Sequence, residues 1–361
     1  MEASSATRGS GPAAILGGGG SGAGKLPSWA GSAVVSASAV AVILFLLAIG
    51  SFNILPLVLL TGLVSCAAIY PWSRAVEGKR QAFNRLITLG IVFAFSLALL
   101  PLCSLLYEVV TRGIHRFDVS FFTDDARGAI GDEGGAAHAI VGTLVITGIA
   151  AVISVPIGLM AAIYLNEYGG TSRLRKALTF FVDVMTGIPS IVAGLFAYAL
   201  FELFLGPGIR LGIMGSLALS VLMIPIVIRS SEEILKIVPN HLREAAYALG
   251  TPKWKTITRI VLPTALAGLV TGVMLSIARI IGETAPLLVT TGVVDSMNAN
   301  PFEGRMQNLA VYAFNEYRNP GVDKAAAFDR AWTAALTLIL IVMILNLVAR
   351  WVYRRFGTDL R

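Results

Sequence analysis

Charge is what this sequence has least of. Asp, Glu, Lys and Arg make up 14% of its 361 residues against 56% hydrophobic, and mean hydropathy is +0.77. That balance excludes a soluble domain, which carries about a quarter of its residues as charged groups. Histidine is nearly missing. His115, His138 and His241 are the only three, and their spacing fits no metal-ligand set. No nucleophile–base group is legible either, so a membrane-bound enzyme is a poor fit. Cys66 and Cys103 both fall in apolar runs and read as packing residues, with no disulfide. A complete nucleotide site is lacking too. The run Gly19-Gly20-Ser21-Gly22-Ala23-Gly24-Lys25 nearly spells a phosphate-binding loop, but Leu26 stands where Ser or Thr must hold magnesium, and no strand precedes it. Residues 1–31, rich in Gly, Ser and Ala, read as a disordered tail. They make no signal peptide, since the apolar run starts late and lacks a cleavage site.

Long apolar runs are what the chain has in quantity. A helix crosses a bilayer with about 20 residues, and candidates lie at 33–51, 54–70, 86–108, 138–165, 178–204, 211–228, 261–292 and 331–350. The seventh is too long for one straight span and is expected to break near Pro286. The expected class is an all-α polytopic membrane protein. A net charge of +7 would suit nucleic acid, but its distribution points to topology instead. With the N-terminus inside, about 19 of the 28 Lys and Arg fall on inner segments and about 8 on outer loops. Both termini, the basic loop with Arg74, Lys79, Arg80 and Arg85, and the loop 229–259 are thereby placed in the cytoplasm. The outer stretch 109–137 gathers Asp118, Asp124, Asp125, Asp132 and Glu133. It lacks the alternating ligands and fixed glycine of a calcium loop and reads as a solvated face.

Ionisable residues inside a span cost about 2.5–3.5 kcal/mol on insertion scales and usually line a pathway. Arg279 and Glu283 lie in MLSIARIIGETAPLL. Four apart on one helix, they share a face and are placed to pair. A pair that only locks helices together is the plainer alternative. Arg229 and Glu232, at the inner end of span 211–228, read by position as interfacial charges. The run Thr186-Gly187-Ile188-Pro189-Ser190, in the span that also holds Asp183, is either a bend facing a pathway or a packing kink. Arginine's planar fork suits an oxyanion such as phosphate or sulfate. Glu283 beside it would prevent irreversible trapping and accept a proton from a protonated phosphate.

Between the apolar spans lies a polar, basic island, residues 239–263. Asn240 is expected to cap a helix with Leu242, Ala245, Ala246 and Leu249 on one face, Gly250 to end it, and Thr251-Pro252 to start the next. Physics alone leaves a membrane-surface helix and a partner-docking helix both open.

Glu244-Ala245-Ala246, then Gly250, Ile260, Leu262 and Pro263, resemble the EAA loop of bacterial ABC importer permeases. The resemblance implies the type I ABC importer permease fold, with Glu244, Ala245, Ala246 and Gly250 in a helix that docks on an ATP-hydrolysing subunit. Ile281-Gly282-Glu283-Thr284-Ala285-Pro286-Leu287-Leu288 is similar to the GETAPLL signature of the PstA family, where PstC-type sisters would read GETMA. AHAIVGTL at 137–144, PIGLMAAIYLNEY at 156–168 and IVIRSSEEIL at 226–235 extend the likeness from about residue 80 to 355. What it implies is one permease subunit of a phosphate importer in the bacterial inner membrane. Its translocation residues would be Arg229, Glu232 and Arg279, with Glu283 beside them. Implied partners are a PstB-type ATPase dimer, a PstC-type permease and a PstS-type external phosphate-binding protein, in a lipid bilayer and without nucleic acid. ATP and magnesium would sit on the ATPase; this chain would bind no cofactor or metal and hydrolyse nothing. Residues 80–355 would form the permease domain with its coupling loop at 240–263. The family's six spans leave the tail 1–31 and a hairpin at 32–72 as extras. A permease for sulfate or molybdate is the nearest alternative, and an ion-gradient-driven transporter a more distant one.

Overall fold

The computed structural model describes residues 24–356 apart from 129, 130 and 132, with 352–356 as backbone only. Most of the tail and of its glycine run, and Asp132, lie outside the described residues. These are helical with turns and no strand, and they divide into two compact units, one ending at Leu106 and one beginning at Tyr107. Seven helices are long and apolar enough to cross a membrane, and a bent pair makes up to eight.

In the first unit α1 (Ala30–Ile49) ends at Gly50, whose φ of +72° is the left-handed turn that glycine takes without strain. Asn53 then caps α2 (Ile54–Glu77), its side chain accepting the Leu55 N–H at 3.3 Å, and the two helices pair as a hairpin. The expected basic loop after it is instead helical. Gly78 alone separates α2 from α3 (Lys79–Gly113), a helix that continues across the boundary between the units. Glu77 and Arg85 pair across this single-residue link. Glu77 accepts from Arg85 Nε at 2.7 Å, from the Leu26 N–H at 2.9 Å and from the Ser73 hydroxyl at 2.8 Å.

The second unit is built on α5 (Ala137–Ile163) packed along α8 (Gly212–Ile237). Small residues let the backbones approach, as in helix pairs that lack a hydrophobic drive to associate. A Cβ on Gly158 would lie 2.6 Å from Val227 Cγ1, and the Ser220 hydroxyl bonds back to the Ser216 carbonyl at 2.8 Å. Ile146, Ala150, Leu219, Met223 and Val227 form the buried seam.

The span expected at 178–204 is not one helix. A short α4 (Val119–Thr123) precedes α5, and after α5 and a π-type turn at Tyr164–Tyr168 come α6 (Arg173–Thr186) and α7 (Ser190–Leu205), bent by 106°. Pro189 has no N–H to continue the ladder, and its ring disfavours helical geometry at Ile188. Beyond α8 lie α9 (Asn240–Ala248), α10 (Lys253–Thr256) and α11 (Leu262–Ile281), then α12 (Ala285–Thr290), α13 (Leu309–Arg318) and α14 (Lys324–Phe356).

The acidic stretch at the opposite end from α9 is not simply solvated. Asp118 caps α4 by accepting the Phe121 N–H at 2.8 Å, and Asp125 Oδ2 accepts the Met297 N–H at 3.2 Å across 172 residues. Among the described residues no three of His, Cys, Asp and Glu gather as a metal site.

Two outcomes follow. Gly158→Leu should cost about 1–3 kcal/mol by overpacking, whereas Gly148→Leu, whose Cβ meets nothing within 4 Å, should leave the melting temperature unchanged. The Met297 N–H holds the Asp125 carboxyl below its usual range, with the Arg127 N–H adding to it. Its stabilisation is therefore present above the ordinary carboxylate pKa and is lost as pH falls through the lowered one. Amide protection at Met297, corrected for intrinsic exchange, should fall on acidification, and Asp125→Asn should remove that pH dependence.

Candidate functional site

Helix α11 stops at Ile281. Gly282 and Glu283 form a turn, with the Glu283 N–H donating to the Ile280 carbonyl at 3.1 Å, and α12 restarts with Pro286 in its first turn. The break comes slightly before the expected Pro286, and it corrects the expected pairing. Arg279 and Glu283 do not share one helix, and among the described residues Arg279 forms no ion pair. Arg279 is not buried in this chain either; it is exposed, and Glu283 is half-buried.

What joins them is a cavity of about 350 Å³, lined also by Thr186, Ile188 and Ser190 from the α6–α7 bend and by Leu222 and Pro225 of α8. Two interruptions of helical backbone therefore meet at one place with Pro225, which removes one N–H from the ladder of an otherwise continuous α8. Each frees carbonyls or N–H groups that hydrocarbon cannot satisfy, a pattern tolerated where protein or a polar cavity takes them up. Thr186, Ile188 and Ser190 of the bend at Gly187–Pro189 line this cavity.

Arg229 follows Pro225 by four residues, about 6 Å of helix rise. Its Nη1 donates to Glu232 Oε2 at 3.1 Å and its Nη2 to Asp183 Oδ1 of α6, while Lys236 Nζ meets Glu232 Oε1 at 2.8 Å. The Glu232 side chain is only 9% exposed, so it is no ordinary interfacial charge; the Asp183 side chain is 58% exposed. Sequence reasoning assigned Asp183 no role. The available signal was a lone carboxylate in a largely apolar run, which requires a partner.

The polar island folds differently in detail from its expected form. Gly250 does end the α9 turn, with φ of +73°. Pro239 rather than Asn240 occupies the cap position, and Asn240 Oδ1 accepts from Arg243 Nη1 at 3.2 Å. Pro252, not Thr251, precedes α10. The expected single face also splits. Leu242 and buried Ala246 turn inward, Leu242 against the buried cluster that includes Leu235, Val238 and Val261, while Ala245 and Leu249 face outward. Leu249 lies beyond the last helical residue and leaves the helical path, which exposes it. Glu244, Tyr247 and Trp254 are exposed as well.

One side chain missed in the sequence fixes this helix in place. Arg243 donates to the Val238 carbonyl at 2.7 Å and the Leu235 carbonyl at 3.2 Å, completing the open C-terminus of α8. It also pairs with Glu167 at 2.7 Å, the two side chains being 12% and 5% exposed. Lys253 Nζ sits 4.9 Å from the ring centre of Tyr168 in the same π-type turn.

Residues 154–361 match the family described as binding-protein-dependent transport system inner membrane component. The chain is 47% identical over 279 residues to the phosphate transport system permease protein PstA 1 of Mycobacterium tuberculosis, covering 76% of this chain and 90% of that protein. It is 38% identical over 271 residues to PstA of Pasteurella multocida, covering 75% and 94%. A solved structure of the inward-facing MetNI methionine ABC transporter overlays at TM-score 0.48 and 21% identity, over 61% of this chain and 94% of that one, a likeness too loose to build on. Over three quarters of its length, then, this chain belongs to the binding-protein-dependent inner membrane transport components, and among them to the PstA family of phosphate transport system permease proteins.

Proposed function

We propose that this chain forms half of the pathway by which an ATP-driven importer moves inorganic phosphate across the bacterial inner membrane. The observation that carries the reading is the cavity where two helix breaks and Pro225 of α8 meet Arg279, which has no carboxylate partner among the described residues. An unpaired guanidinium beside freed backbone groups is a receptor for an oxyanion. Arg229 continues that line one helical turn along α8. Family membership supplies the substrate class, since the relatives are phosphate transport permeases.

In this reading both termini and α9 face the cytoplasm, in keeping with the inner excess of Lys and Arg. The partners are a second, PstC-type permease, a PstB-type ATPase dimer that holds ATP and magnesium, and a PstS-type external binding protein. The chain itself binds no cofactor and performs no covalent chemistry. Glu244, Ala245 and Gly250, with exposed Tyr247 and Trp254, belong to the surface that meets the ATPase. Ala246 supports it from within, buried in this chain's own packing. Closure of the ATPases moves α9, and Arg243 passes the motion to α8 and to the end of α5. Those two helices carry the central seam, and α8 carries Pro225 and Arg229 to the pathway.

Labelled-phosphate uptake in cells lacking this gene should be restored by the wild type and unaffected by excess sulfate. Arg279→Ala should restore little. Full rescue by Arg279→Ala would return that arginine to a structural role, and competition by sulfate would shift the substrate to a broader oxyanion class. Arg243→Ala leaves Glu167 buried without its partner, a loss of about 3–5 kcal/mol, and should lower both melting temperature and uptake. The double variant Arg243→Met/Glu167→Met should recover the part of the melting temperature lost to the stranded Glu167 charge, but not the part due to the uncapped Leu235 and Val238 carbonyls, and should not recover uptake. Recovery of both would make the pair a stabilising contact with no part in coupling.

A further inference from the structure

We propose that Asp183 is a displaceable internal ligand of Arg229. It occupies the guanidinium while the pathway is empty and gives it up to the incoming oxyanion, which sets how tightly the anion is held. The inference rests on the reading that Arg229 lies on the phosphate pathway.

The two carboxylates on Arg229 are held very differently. Glu232 is buried, lies on the same helix three residues on, and is fastened at both oxygens, Oε2 by Arg229 and Oε1 by Lys236. Releasing it would strand a buried charge. Asp183 is 58% exposed, comes from a different helix and engages the fork through Oδ1 alone. Its exposed side leaves it room to swing away, so it is the carboxylate that an arriving anion replaces. Its position adds to this. Asp183 lies four residues before Gly187, where α6 gives way to the 106° bend, and Thr186 and Ile188 of that bend line the Arg279 cavity. An anion moving from Arg279 to Arg229 therefore meets Asp183 as its competitor. In charge the site is balanced while empty, with Asp183 and Glu232 against Arg229 and Lys236. An anion that takes Arg229 enters an excess of negative charge, which favours its release onward. Transport requires binding firm enough for entry and weak enough for exit.

The test compares labelled-phosphate uptake, as KM and maximal rate, by the complete transporter carrying wild type, Asp183→Asn, Asp183→Ser or Asp183→Glu, with assembly and melting temperature measured in parallel. Asp183→Asn and Asp183→Ser should lower KM roughly two- to fivefold, the range an exposed ion pair is worth, and lower the maximal rate, because release slows. Asp183→Glu should restore both. Unchanged or raised KM in assembled Asn and Ser variants would overturn the proposal and leave Asp183 as a brace between α6 and α8. Failure of both to assemble would assign Asp183 to the fold and overturn it equally. Absence of phosphate uptake by the wild type would instead remove the functional reading itself. That failure shows before any variant is compared.

Discussion

A backbone in hydrocarbon must satisfy its own hydrogen bonds, and the second unit is arranged around that constraint. An uninterrupted helix does so without help. Each interruption leaves donors or acceptors that lipid cannot serve, so interruptions are affordable only where they face one another or a polar cavity. Here the α6–α7 bend, Pro225 in α8 and the α11–α12 break share one cavity. Arg279 and Glu283 stand at its wall because the break ends the helix between them. The same discontinuity that prevents them from pairing leaves the Arg279 guanidinium without a carboxylate among the described residues.

The remaining charges show how context divides the work among arginines. Arg243 is enclosed and saturated, with two carbonyls of α8 and the Glu167 carboxylate around it. Its role is to hold α9 against the ends of α5 and α8. Arg229 is half-buried between one fixed carboxylate and one exposed carboxylate. Arg279 has no charged partner among the described residues. The order runs from an enclosed contact, through a half-exposed one, to an open one. It follows from how many acceptors each local fold brings within reach, since the three side chains are chemically the same.

The first unit follows a simpler rule. Gly50 and Gly78 each turn the chain where a side chain would be strained, and Glu77 gathers three donors at the second turn. A cluster of basic residues there suggested an open loop. Counting charge alone could not register that Glu77 and Arg85, eight residues apart, meet across a single glycine.

Sequence by itself determined the membrane class, the approximate place of seven of the eight expected spans, the glycine that ends α9 and, through EAA and GETAPLL, the family. These are properties of composition, run length and local conformational preference, and they need no partner. Only the tertiary structure decided which charges meet. Asp183 reaches Arg229 across 46 residues and Glu167 reaches Arg243 across 76, separations at which sequence spacing carries no information. It also decided the faces of α9. A helical wheel puts Leu242, Ala245, Ala246 and Leu249 together, but packing covers only the Leu242–Ala246 side and leaves Ala245 exposed, and the helix ends at Ala248, before Leu249. The angle of the α6–α7 bend belongs to the same class. Pro189 marks that the helix must stop, while the direction it takes next is set by the packing of α7 on α12, where Gly194 lies against the Pro286 backbone.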